Sequence, residues 1–191
     1  MSKILGSWSG MRKYLEEDML CPSLRGRVRY GCTRYVGMDS DHVFDVWVDG
    51  KQIKRFSLET VNEYFIAQGY AVKKGPMSIH DYWADFWSLM EKHPLESRAE
   101  YTDDEFCDAL TVYRNQPIQD SLWSPNPIVR MFAVLDRRLG ARTIEKLRPE
   151  IENQPEWLQP FFRLRMESSA PNPQKPVKNQ NSSCNPYGNM V

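Results

Sequence analysis

Four arginines and two tyrosines crowd one short stretch of the chain: Arg25, Arg27, Arg29 and Arg34, with Tyr30 and Tyr35 interleaved. Guanidinium groups bind phosphate oxygens and an aromatic ring stacks on a base, so this grouping suits a nucleic-acid contact. The plainer reading is that alternating arginines form the solvated face of a half-buried strand. A second constellation is Asp45 with the triplet Asp49-Gly50-Lys51. Two carboxylates beside a lysine can hold a divalent cation for phosphodiester hydrolysis. Against this, Asp49-Gly50 is the strongest hairpin signal in the chain. A turn there explains Asp49, and it leaves Asp45 as the cross-strand partner of Lys54.

His80 beside Asp81, with Asp85 one turn on, is the third candidate, suited to acid/base work in a small hydrolase. Consecutive helical residues do not face each other, however, and acids in a first turn follow from the helix dipole alone. Cys21 and Cys32 would be nucleophiles only where a neighbour lowers their pKa. The four cysteines, Cys21, Cys32, Cys107 and Cys184, show neither a CxxC pair nor zinc-ligand spacing. No Gly-rich phosphate loop, nucleophile elbow or HExxH occurs, so no cofactor is expected.

The elements that must position these residues are legible from patterning. A first helix is expected from about Ser9 to Leu20, closed by Cys21-Pro22 because the residue before proline avoids the helical region. Strands follow at Arg27 to Tyr35, Val43 to Val48 and Lys51 to Phe56, the last two joined by the Asp49-Gly50 turn. That turn predicts a register in which Val46 faces Ile53 and Asp45 faces Lys54. Ser57 then caps a helix ended by Gly69, with Phe56 and Val61 as a hydrophobic staple. A helix, three antiparallel strands and a helix is also the order of a double-stranded-RNA-binding domain, but the second helix there needs a basic start. Here it reads Ser57-Leu58-Glu59-Thr60.

Beyond a turn region at Lys73 to Pro76 the pattern is helical. Ser78 caps a helix whose inner face would be Ile79, Tyr82, Trp83, Phe86 and Met90. Thr102 and Glu105 form a capping box for a helix using Ala109, Leu110 and Tyr113, and Pro117 breaks it. Asn126 and Pro127 then start a helix with Ile128, Met131, Phe132, Leu135 and Leu139 inward, and a left-handed Gly140 is expected to end it. A helix from Arg142 presents Ile144 and Leu147. Another, Glu156 to Met166, offers Trp157, Phe161 and Leu164, with the Arg163 and Arg165 heads in water. Asp136 and Arg142 would pair across Gly140.

The chain has 191 residues, enough for one substantial core. Lys/Arg and Asp/Glu balance at 25 each, which argues against the whole chain being a polyanion binder. The charge is uneven. Residues 1–75 carry 12 basic and 9 acidic residues, residues 76–124 carry 3 and 10, residues 125–167 carry 8 and 6, and the tail adds 2 and 0. A basic face and an acidic one are therefore both available, the latter on the helices between Met77 and Asp120. Met1 to Gly10 holds no apolar run of signal length, and no stretch is long enough to cross a bilayer. A reducing cytoplasm with free thiols and no membrane contact is the expectation.

The runs NPIVRMFAVLDRRLGARTIEKL and QPEWLQPFFRLRMES, with the opening WSGMRKYLEEDMLCPSLRGRVRYGCTRYV, resemble a family of small uncharacterised bacterial cytoplasmic proteins. The likeness covers residues 8–36 and 125–168 and carries no catalytic residue with it.

The expected fold is α+β: an N-terminal helix, a three-stranded antiparallel sheet and a helix in residues 1–75, then a C-terminal helical bundle in residues 76–168 packed on it, and a disordered tail, 169–191. The expected function is non-catalytic binding or regulation. The partner would be nucleic acid at Arg25, Arg27, Arg29, Tyr30 and Arg34, or a protein at the acidic helices. The rival is a small enzyme, a nuclease using Asp45 and Asp49 or a hydrolase using His80 and Asp81.

Overall fold

A computed structural model describes residues 7–34, 42–70 and 78–169. Tyr35, the Lys73 to Pro76 turn, Cys184 and the tail beyond Ser169 lie outside the described residues. The fold is α+β, with eight α-helices and one three-stranded antiparallel sheet among those residues.

Helix α1, Trp8–Lys13, is capped by the Ser7 side chain and runs into a π-helical turn, Tyr14–Met19. After a 3₁₀ turn at Pro22–Leu24 come β1 (Val28–Arg34), β2 (His42–Val48) and β3 (Lys51–Phe56), in that spatial order. Asp49 and Gly50 both have positive φ, 50° and 81°, as a two-residue hairpin turn requires. Each outer strand has a strand neighbour on one side alone. The edge of β1 is covered by the first helix, and the Glu16 carboxylate accepts the Tyr30 N–H at 2.8 Å.

The predicted β2–β3 register is wrong by one residue. Trp47 faces Gln52, but Val46 faces Lys54 and Asp45 faces Arg55. Ile53 is an extra residue, a bulge, and it swings Lys54 onto the inner face of the sheet. An ammonium turned inward must find partners. Lys54 finds Glu100 and the Ala99 carbonyl, each at 2.6 Å. Arg55 takes the place beside Asp45 that was expected of Lys54, at 2.8 Å.

Ser57 caps α2 (Leu58–Ala67), and Gly69 at φ 77° ends it. Ser78 caps α3 (Ile79–Lys92) through the Asp81 N–H. The predicted inner face of α3 is only partly realised. Phe86 is buried, Tyr82, Trp83 and Met90 are half-buried, and Ile79 is 66% exposed. Helices α2 and α3 bury Val61, Phe65 and Phe86 in a small cluster of their own.

The capping box of Thr102 and Glu105 opens α4 (Asp103–Asn115), which buries Phe106, Ala109, Leu110 and Tyr113. A short helix missed by patterning, α5 (Ile118–Leu122), follows Pro117. The Asn126 side chain accepts the Ile128 N–H at 2.9 Å and starts α6 (Pro127–Leu135), in which every residue but Arg130 is buried. Helix α6 ends earlier than predicted. Asp136 is extended and bridges Leu20, while Cys21 N–H takes the Leu135 carbonyl at 3.0 Å and Arg137 N–H donates to Met19 at 2.9 Å. Tertiary pairing has replaced the last helical turn. Gly140 is therefore not left-handed; at φ −78°, ψ 159° it begins α7 (Ala141–Leu147).

Helix α8, Gln159–Ser169, buries Phe161, Phe162, Leu164 and Met166. The main core joins residues of α1, the inner face of the sheet, α4 and α6 to α8. The sheet meets α4 where Phe56 bridges Tyr101 and Ser57 N–H donates to the Tyr101 carbonyl at 3.0 Å. Arg98, 5% exposed, braces this junction through Glu105 and the carbonyls of His93 and Glu100. No helix among the described residues is long and apolar enough to cross a membrane.

Candidate functional site on the outer sheet face

Strand alternation sorts the arginine-rich stretch into two faces. Val28 and Tyr30 point inward and are buried, while Arg29 points outward and is exposed. The Tyr30 ring is thus a core residue, unable to stack on a ligand; its hydroxyl is buried with no hydrogen-bond partner among the described residues, and burial pushes its pKa far above the ordinary value. Arg27 is bound to the turn: its Nε and Nη2 reach both oxygens of Asp49 at 2.9 and 2.7 Å. Arg25 lies before the strand and donates to the Glu17 carbonyl at 2.8 Å. Among the described residues Arg29 and Arg34 are exposed and make no ion pair or hydrogen bond, but Arg34 shares strand parity with the inward Tyr30, so of the five predicted contact residues Arg29 alone presents an unengaged guanidinium on the outer face.

The aromatic that belongs with Arg29 is Trp47, which sequence reasoning missed. It stands directly opposite Arg29 in the β1–β2 pair. A Cβ added to Gly31 would lie 2.5 Å from two carbons of the Trp47 ring. The indole therefore packs over Gly31, the one position of β1 without a side chain, and it remains half-buried. Its signal was available: Trp47 shares strand parity with Asp45 on the polar face, and a glycine sits in the neighbouring strand.

The nuclease constellation does not assemble. Asp45 is 5% exposed, held by Arg55 and by Gln52 Nε2 at 2.9 Å, while Asp49 is engaged by Arg27 in the turn. No group of three or more His, Cys, Asp or Glu side chains that could hold a metal occurs among the described residues. His80 and Asp81 are both exposed, and Asp81 accepts the Ser78 hydroxyl at 2.8 Å as part of the α3 cap.

Other polar clusters have structural explanations. Asp136 is 1% exposed, and its partner is Arg138, at 2.6 Å, with the Tyr113 hydroxyl also donating to it. The expected Asp136–Arg142 pair does not form, because the Asp136 carboxylate turns back to accept the Arg138 N–H at 2.7 Å. Arg165 does not keep its head in water either: it is 3% exposed and donates to Cys21 Sγ at 2.8 Å and the Leu139 carbonyl at 3.1 Å. Burial pushes the Cys32 thiol up, away from the thiolate a nucleophile needs.

No curated protein and no solved structure matches the chain. Over residues 7–166, which hold the sheet and all eight helices except the last residues of α8, the chain matches and belongs to the SF0329 protein family.

Proposed function

We propose that this protein is a non-catalytic binding module that takes single-stranded nucleic acid on the outer face of its sheet. The observation that carries the reading is Trp47 packed over Gly31 opposite the exposed Arg29, which has no partner among the described residues. A partly exposed indole offers a stacking surface to any base, and the guanidinium of the residue paired with it neutralises a phosphate. Arg34 and Lys51, although exposed, share strand parity with Tyr30 and Val28, so the face rests on Arg29 and Trp47. The site of action we infer is the bacterial cytoplasm, supported by the thiols of Cys21 and Cys32, which form no disulfide among the described residues, and by the family resemblance.

The test is fluorescence anisotropy of labelled single- and double-stranded DNA and RNA at several salt concentrations, without and then with magnesium. Single strands should bind with log affinity falling linearly in log salt. Trp47→Ala should weaken binding by roughly five- to hundredfold, the equivalent of losing one stacked base. Arg29→Ala should reduce the salt slope by about one phosphate contact. Absence of binding to all four, or binding indifferent to Trp47, would sink the reading. Signal lost only when magnesium is present would point to the nuclease instead.

A further inference from the structure

Beside β3 lie two depressions of about 680 Å³ each, which share Gln52, Ile53, Tyr64, Glu100 and Trp157 and so form one groove. Its floor is β3 itself. One wall is α2, through Thr60, Glu63 and Tyr64; the other is the segment 96–100 with Pro155, Trp157 and Pro160. Three features of this groove bear on what fits it.

The first is a free strand edge. Strand β3 has a sheet neighbour on one side alone, and its far side is bonded only at the C-terminal end, where Phe56 and Ser57 meet Tyr101. Among the described residues the backbone of Lys51 to Lys54 makes no bond on that side. Unpaired N–H and C=O groups in an extended row recruit another extended chain. The second feature is apolar: Ile53, Tyr64 and Trp157 are each half-buried. The third is charge. Lys54, Arg55, Arg98 and Glu100 are already paired within the protein. What remains among the described residues is Glu63, Glu96 and Glu156, all exposed and without an ion pair there, against the ammonium of Lys51.

We propose that this groove docks an extended peptide segment bearing Lys or Arg side chains. The peptide backbone pairs with the free part of β3, its apolar side chains rest on Ile53, Tyr64 and Trp157, and its cations face the three glutamates. The bulge at Ile53 and the lysines of β3 discourage indiscriminate strand pairing, so the side-chain match decides what enters. This surface is separate from the sheet face proposed for nucleic acid.

The experiment uses the full chain and three fluorescein-labelled octapeptides: alternating valine and lysine, alternating valine and glutamate, and the lysine peptide N-methylated at alternate backbone nitrogens. The lysine peptide should bind and the glutamate peptide should not. Combining Glu63→Gln, Glu96→Gln and Glu156→Gln should weaken binding about tenfold, as three exposed ion pairs imply. N-methylation should weaken it at least as much. The proposal is overturned by no binding of the lysine peptide, by equal binding to the triple variant, or by equal binding of the methylated peptide. Nucleic-acid affinity, followed in parallel, should not fall in the triple variant, so the two readings fail independently.

Discussion

Lys54 Nζ lies 2.6 Å from the Glu100 carboxylate, with 4% of the lysine side chain reached by solvent and the Tyr101 and Trp157 rings 5.3 and 5.4 Å away. Desolvation holds the Lys54 pKa below the ordinary lysine value while Glu100 pulls it back up. Removing the acid leaves a buried cation short of a partner; removing the cation leaves a glutamate that can turn to water. Glu100→Ala should therefore cost about 1–3 kcal/mol in urea denaturation, and Lys54→Met, which keeps the stem's volume, should cost less. The reverse order would overturn this account.

Asp136 accepts from the Tyr113 hydroxyl, the Arg138 backbone N–H and the Arg138 guanidinium, and it fixes the turn between α6 and α7. Asp136→Ala should lower stability by about 3 kcal/mol and leave nucleic-acid affinity unchanged. Tyr113→Phe, which removes a single donor, should cost about 1 kcal/mol. Thermal melts of the two variants and anisotropy of the first decide the matter, and a loss of affinity without a loss of stability would refute the structural role.

Alkaline pH should unfold the protein. Burial raises the pKa of Tyr101 to about 12 and drives those of Tyr30 and Tyr113 higher, with hydrogen bonding to Asp136 adding to the rise at Tyr113. In each case the folded pKa exceeds the unfolded value near 10, so the stabilisation is complete below pH 10 and is lost as pH climbs through the folded pKa. Each of the three removes up to about 1.4 kcal/mol per pH unit in that window. Lys54, with its lowered pKa, works in the opposite sense up to its unfolded value near 10.5 and offsets part of the loss. Tyrosine absorbance at 295 nm should rise late and together with the loss of helical circular dichroism; stability that stays flat to pH 11 would contradict it.

A methyl group at Gly31 cannot coexist with the Trp47 ring where it stands. Gly31→Ala should lift the indole from the sheet, cost about 1–2 kcal/mol and shift the Trp47 indole N–H resonance. An unmoved resonance would mean the ring does not lie on the strand.

What could be read from the chain was local. Ser57, Ser78, Thr102 with Glu105, and Asn126 announce helix starts because a cap is satisfied within three residues of itself. The Asp49-Gly50 hairpin is equally self-contained. Distant contacts left no such mark. Nothing in Lys51 to Phe56 signals the extra residue at Ile53, and that one residue moved Lys54 from the polar face to the inner one. Helix α6 stops at Leu135 because Leu20 and Cys21 pair with its end from more than a hundred residues away. Arg165 is buried for the same kind of reason, its acceptors lying in the turn after α6 and at Cys21. In the candidate site the arginines were legible by type, but their availability was not, since it depended on Asp49 and Glu17.

The bridge between Phe56 and Tyr101 makes α2 and α3 an excursion that starts and finishes at one point of the main body. Its own small cluster of Val61, Phe65 and Phe86 holds it together, and Arg98 clamps its base. Such an appendage can melt and re-form while the sheet and α4 to α8 stay closed. It can also lengthen or shorten over evolutionary time at little cost to the rest, because closing a longer loop at fixed ends grows more expensive only with the logarithm of its length.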